Sequence, residues 1–140
     1  MNRSFLFALL TSLIWGFAPV FEKIGLNGRI DPYTGVVIRT IPITIVSVAG
    51  LMFAGGLGTL KAVDVRSAAF ICAGGLIAGL LGQFAFYSAL KSGEASLVVP
   101  VAATYPLVAL IVSALFLGEA VTAQKAAGIV LVVGGVMLLR

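Results

Sequence analysis

The sequence predicts an all-α membrane protein made of five transmembrane helices, and three observations predict it. Of 140 residues, 61% are hydrophobic and 10% charged, against about 25% charged in a soluble domain; the mean hydropathy is +1.18. The charges sit in short gaps between apolar runs of about 18 residues or more, the length that crosses a hydrocarbon core. Such runs recur along the whole chain with almost nothing between them. Core helices of a soluble protein do not follow one another in this way.

The first run covers residues 4–26. Arg3 followed by an apolar stretch resembles the start of a signal peptide. The stretch continues through Trp15 and Val20 towards Leu26, however, and more apolar runs follow it, so it reads as the first span. The connector Asn27-Gly28-Arg29-Ile30-Asp31 is full of turn formers. The second span, 32–55, opens on Pro32, a favourable first-turn residue. A glycine-rich, charged connector over 56–66 leads to the third span, 67–91. Ser92-Gly93-Glu94 turns the chain into the fourth, 95–117, and Gly118-Glu119-Ala120 into the fifth, 121–139, closed by Arg140. At about 1.5 Å per residue each reaches across a core of about 30 Å, the last only barely. The chain 1–140 reads as a single domain.

The net charge is +4, but the basic residues form no patch and stand singly at helix ends. That placement suits lipid headgroups rather than nucleic acid. The single cysteine, Cys72, lies inside an apolar run, and there is no histidine. Disulfides, metal sites and general acid–base catalysis therefore lack raw material. No metal, no cofactor and no enzymatic activity are expected, and the lipid bilayer is the first partner.

An odd number of spans puts the termini on opposite sides. The N-terminal side carries Arg3, Lys61, Arg66 and Lys125; the other carries Lys23, Arg29, Lys91 and Arg140, four against four, with Arg39 left inside the second span. Orientation is normally set by a Lys/Arg bias. Without one, two readings stay open: a weakly biased protein oriented by its first helix, or a dual-topology protein that inserts both ways and pairs as an antiparallel dimer.

Within the spans, Gly75, Gly79 and Gly82 form a small-residue stripe, and Gly128 and Gly135 lie one heptad apart in the fifth span. Such stripes let helices approach closely, within one subunit or across a dimer seam. Pro19, Pro42, Pro100 and Pro106 each remove a helical hydrogen bond, which at membrane depth is tolerated beside protein or a water-filled cavity. Arg39 is the most informative residue, about two turns into its span and roughly 10 Å below the interface. It snorkels to the headgroups, pairs with Glu22 near the end of the first span, or faces a cavity and draws carboxylates or phosphates. Trp15, Gln83, Tyr87 and Tyr105 are the other candidates to line a path. No acidic residue lies near the middle of any span, so no deep proton-coupling carboxylate is evident.

Several motifs then fall in a familiar order. Leu13-Ile14-Trp15-Gly16 precedes Lys23, with Arg39 in the second span. Tyr87-Ser88-Ala89-Leu90, Val99-Pro100, Tyr105-Pro106, Phe116-Leu117-Gly118-Glu119 and Gln124-Lys125-Ala126-Ala127-Gly128 follow. Together they resemble the EamA domain of the drug/metabolite transporter superfamily along the whole chain. The resemblance implies a small-molecule carrier, commonly an exporter, with a midplane site and alternating access. It also implies one repeat of a 5+5 inverted-repeat fold, since most members carry two five-helix repeats in opposite orientations. A lone repeat rebuilds that architecture if two copies pair antiparallel, which agrees with the even charge count. The related small multidrug resistance proteins use a glutamate in their first helix; measured back from Lys23, that position is Trp15 here, so their exchange logic does not carry over.

The expected protein is a multi-pass carrier of the inner (plasma) membrane, an antiparallel homodimer exporting amino-acid-like or anionic solutes. The alternatives are a flippase for a lipid-linked or amphipathic substrate and a non-transporting half-unit of a heteromeric complex.

Overall fold

The computed structural model describes residues 3–139, and they fall into two compact units, one within residues 1–92 and one within 93–140. Arg140, which enters the charge count, lies outside the described residues.

The N-terminal unit contains α1 (Arg3–Leu26), α2 (Pro32–Phe53) and a short α3 (Leu57–Lys61). A continuous helix over Val65–Ser92 follows. It is made of α4 (Val65–Gly75), a π-helical stretch (Leu76–Gly82) and α5 (Gln83–Ser92). Each boundary has a local cause. After α1, the Leu26 carbonyl accepts from the amides of Arg29 and Ile30 at 2.9 and 3.0 Å, because Asn27 (φ 45°) and Gly28 (φ 63°) adopt the left-handed conformation these two residue types tolerate. Asp31 caps α2, its carboxylate accepting from the Thr34 amide at 3.1 Å, with Pro32 in the first turn. Asp64 caps α4 in the same way through the Ser67 amide at 2.9 Å, and those hydrogen bonds hold its carboxyl below the usual 3.8. The cap explains why the third helix begins ahead of the expected residue 67. The glycine-rich, charged connector winds in part into the short helix α3.

α5 packs against both α2 and α1. Their shared core is small and lies at one end of the unit: Leu26, Val36, Tyr87 and Leu90 are buried. Gly35 sits inside it. A Cβ there would lie 2.9 Å from Cδ2 of the Tyr87 ring and 3.0 Å from Leu26 Cδ2, so only glycine lets α2 come this close. Elsewhere large apolar side chains such as Phe17, Phe21, Val46 and Phe70 face outward. Lipid tails are as apolar as leucine, so this exposure carries no hydrophobic penalty in a bilayer.

The C-terminal unit contains α6 (Ala95–Ala102), α7 (Tyr105–Leu117) and α8 (Ala123–Met137), with α7 packed on α8. The fourth apolar run is thus a discontinuous helix. Pro106 has no amide to offer the Ala102 carbonyl. The chain turns at Ala103-Thr104, where the Thr104 hydroxyl donates to the Val101 carbonyl at 2.7 Å and the Leu107 amide to the Thr104 carbonyl at 3.0 Å. Gly118, at φ 65°, ends α7 in the left-handed region, its amide bonded to the Ser113 carbonyl. Thr122 then caps α8, accepting from the Lys125 amide at 3.3 Å.

Four helices among the described residues are long and apolar enough to cross a membrane: Arg3–Leu26, Pro32–Phe53, Val65–Ser92 and Ala95–Leu117. The fifth apolar run is also helical, but over 15 residues, about 22 Å against a core of about 30 Å. The Thr122 cap and the Gly118 turn shorten it relative to the 121–139 expected.

Candidate functional site

Three helices of the N-terminal unit bring polar side chains together at its packed end. α1 presents Glu22 one turn before it stops. α2 presents Arg39 about two turns, roughly 10 Å, after it starts. α5 contributes Gln83 and, one turn on, Tyr87. Arg39 Nε lies 3.3 Å from Glu22 Oε1, and Gln83 Nε2 donates to the same oxygen at 3.3 Å. The Tyr87 side chain faces Glu22, Gln83 and Arg39. The Glu22 side chain is 13% exposed and that of Arg39 38%, so Glu22 is largely enclosed while Arg39 is partly reachable. An open pocket of about 270 Å³ runs along these groups, lined by Glu22, Arg39 and Tyr87 with Phe21, Gly25, Leu26, Ile30, Gly35 and Ile38.

Beside it, the Lys23 ammonium donates to the Leu90 carbonyl. Leu90 lies in the last turn of α5, where carbonyls lack helical partners and a cation is favoured. This bond ties the end of α1 to the end of α5.

The π-helical stretch sets which side of the third helix faces the cluster. A wider turn holds more residues, so residues after Gly82 are rotated relative to those before Leu76. Its Leu80 lines a second groove of about 400 Å³ with Val36, Val37, Thr40, Ile41, Thr44 and Ile45 of α2. By helical spacing that apolar groove lies on the opposite face of α2 from the charged pocket.

Within the N-terminal unit, the other sequence candidates lie apart from this cluster. Trp15 is on α1 two turns from Glu22, exposed, and lines neither pocket; Pro19 deprives its carbonyl of a helical partner. Tyr105 opens α7 in the C-terminal unit and is exposed. Pro42 sits inside an unbroken α2, and Pro100 inside α6. A Cβ added at Gly75, Gly79, Gly128 or Gly135 meets nothing within 4 Å, and one at Gly82 meets only the Ile77 carbonyl of its own helix at 3.3 Å. Within the N-terminal unit the close helix approach is made at Gly35, which no small-residue spacing marks. Among the described residues no group of His, Cys, Asp and Glu side chains is placed to hold a metal.

The model of the EamA-like transporter family matches residues 2–140, and so takes in both units. The chain belongs to the EamA-like transporter family. It is therefore a multi-pass membrane transporter. Two similar proteins have the same extent. One is an uncharacterised protein of Methanocaldococcus jannaschii, 27% identical over 139 residues, 99% of this chain and 97% of the relative. The other, from a Sinorhizobium species, is described as an uncharacterised transporter in the cobO 3' region; it is 29% identical over 140 residues, 99% of this chain and 98% of the relative. No solved structure matches. Within the family motifs, Lys23 ties helix ends and Gly118 supplies a left-handed turn, while Arg39 joins the charged cluster.

Proposed function

We propose that this EamA-like transporter is a secondary carrier that exports small amino-acid-like or anionic metabolites by alternating access. The observation that carries the reading is Arg39. Its Nε is held by Glu22 at 3.3 Å, and Arg39 lines a largely apolar pocket of about 270 Å³. A planar guanidinium with free edge donors suits a solute carboxylate, which it can hold bidentately. The pocket's size suits a metabolite of a few carbon atoms rather than a macromolecule.

The working unit is an antiparallel homodimer of one 1–140 EamA-like domain, in the inner (plasma) membrane. The even distribution of Lys and Arg supports it, as do relatives of the same single-repeat length. In this reading α8 is the fifth span, local bilayer thinning and its apolar flanks Val121, Leu138 and Leu139 making up its length. The break at Pro106 and the π-helical stretch are where helix halves tilt as access alternates.

The test is counterflow of labelled metabolites in proteoliposomes with wild type and Arg39→Ala. Loss of flux by about tenfold or more, the effect of removing a charge-assisted bond, supports the site; unchanged flux removes Arg39 from the path. Reporter fusions at the C-terminus that signal from both sides of the membrane support the antiparallel pair, and one-sided signals remove it.

The apolar groove between α2 and Leu80 favours a second reading, a flippase whose substrate keeps an acyl chain there. Headgroup scrambling in liposomes without solute counterflow distinguishes it.

A further inference from the structure

The Glu22–Arg39 pair is neutral as a unit, and a net charge inside a membrane span is costly. The groups that face Glu22 are Arg39 from α2 and Gln83 and Tyr87 from α5. Lys23, its neighbour on α1, donates to the Leu90 carbonyl. Guanidinium and ammonium stay protonated at physiological pH, a phenol stays neutral and an amide does not titrate. Glu22 alone among these can change its charge.

A solute carboxylate that docks on Arg39 comes within a few ångströms of the Glu22 carboxylate. Two carboxylates sharing one site cannot both remain ionised at low cost, and one of them takes up a proton. Of the two carboxyl groups, Glu22 is the one the protein itself encloses, at 13% exposure, against Arg39, Gln83 and Tyr87. Gln83 can serve both states: its Nε2 donates to the Glu22 carboxylate as observed, and its amide oxygen can accept from a Glu22 carboxylic acid.

Building on the solute site argued above, we propose that Glu22 is a proton-binding site and that the carrier moves a carboxylate anion together with one proton. In the empty site Glu22 is ionised and paired with Arg39. In the loaded site a water-borne proton is bonded to Glu22, and Arg39 pairs with the solute anion. The only covalent change is the O–H bond of Glu22, which forms on loading and breaks on release. The site carries no net charge in either state, so anion and proton cross together without crossing as charge.

The experiment uses the full chain in proteoliposomes with a trapped pH dye, gluconate as the carboxylate probe and serine as the zwitterion probe. For wild type, gluconate flux is expected to rise as pH falls, by up to about tenfold per pH unit for one coupled proton, with about one proton moved per gluconate. In Glu22→Gln, a permanently neutral mimic of the protonated acid, gluconate flux is expected to lose its pH slope and its proton signal. If that variant does not assemble, the proton-to-gluconate ratio of wild type decides alone. Gluconate flux that depends on Arg39 but moves no proton overturns the proposal and leaves the carrier reading standing. Serine flux that ignores pH, with no gluconate flux, overturns it in favour of a zwitterion bridging Glu22 and Arg39. No flux of either probe, or of any metabolite in the counterflow panel, overturns both readings.

Discussion

Gly35→Ala places one methyl group where the structure has no room. The new Cβ lies 2.9 and 3.0 Å from Cδ2 and Cε2 of the Tyr87 ring and 3.0 Å from Leu26 Cδ2. Ordinary carbon contacts are about 3.5–4.0 Å, so α2 must back away, or the ring must turn, by about half an ångström or more. Both neighbours are buried, with Tyr87 3% and Leu26 3% exposed, so moving either disturbs packed contacts. Overpacking of this kind costs about 1–3 kcal/mol. Replacing glycine in a helix returns about 0.5–1 kcal/mol through backbone entropy. Gly50→Ala in the same helix, where the added Cβ meets nothing within 4 Å, collects the same gain without the clash. Comparing the two cancels the propensity effect, leaving Gly35→Ala less stable than Gly50→Ala by about 1–3 kcal/mol. The assay is reversible unfolding of both variants in the same micelles, followed by helical circular dichroism. Adding Tyr87→Ala to Gly35→Ala should recover much of the difference, a coupling that distant sites do not show. Equal stability of the two glycine variants would refute close approach of α2 at Gly35.

Three other predictions follow from local geometry. Lys23→Met removes the bond to the Leu90 carbonyl and is expected to cost about 1.5–3 kcal/mol, the range for charge-assisted hydrogen bonds, with faster amide exchange in the last turn of α5; unaltered exchange there would count against the tether. Gly118→Ala puts a side chain at φ 65° and is expected to cost about 1–2 kcal/mol in the same unfolding assay. Asp64 has its carboxyl held below 3.8 by Ser67, so its cap contributes fully above the ordinary carboxylate range and is lost as pH falls through the lowered value. Protection of the Ser67 amide should therefore fall on acidification in wild type. In Asp64→Ala it should already be low at neutral pH.

The motifs carried the family and the spans, because apolar length and turn chemistry are local properties. Asp31-Pro32, Asn27-Gly28 and Leu117-Gly118 mark helix ends through hydrogen bonds made within a few residues of themselves. The sequence marked four prolines alike, and of these Pro106 is the one that falls beside a helix break. The π-helical stretch was not legible: Leu76–Gly82 reads as a glycine-bearing apolar run, and an extra residue in a turn leaves no compositional trace. The glycine stripe of the third span invited a close approach that the N-terminal unit makes elsewhere, at Gly35, an isolated glycine after a helix start.

The sequence by itself determined that this is a helical membrane transporter of the EamA-like family, with an arginine set a short way into its second span. Which groups surround that arginine was decided only by the tertiary structure. Glu22, Arg39 and Gln83 are far apart in the chain, and their meeting depends on how close α2 can come to α5. That closeness depends on a missing methyl at Gly35 and on the rotation introduced by the π-helical stretch, and neither is expressed in hydropathy or spacing.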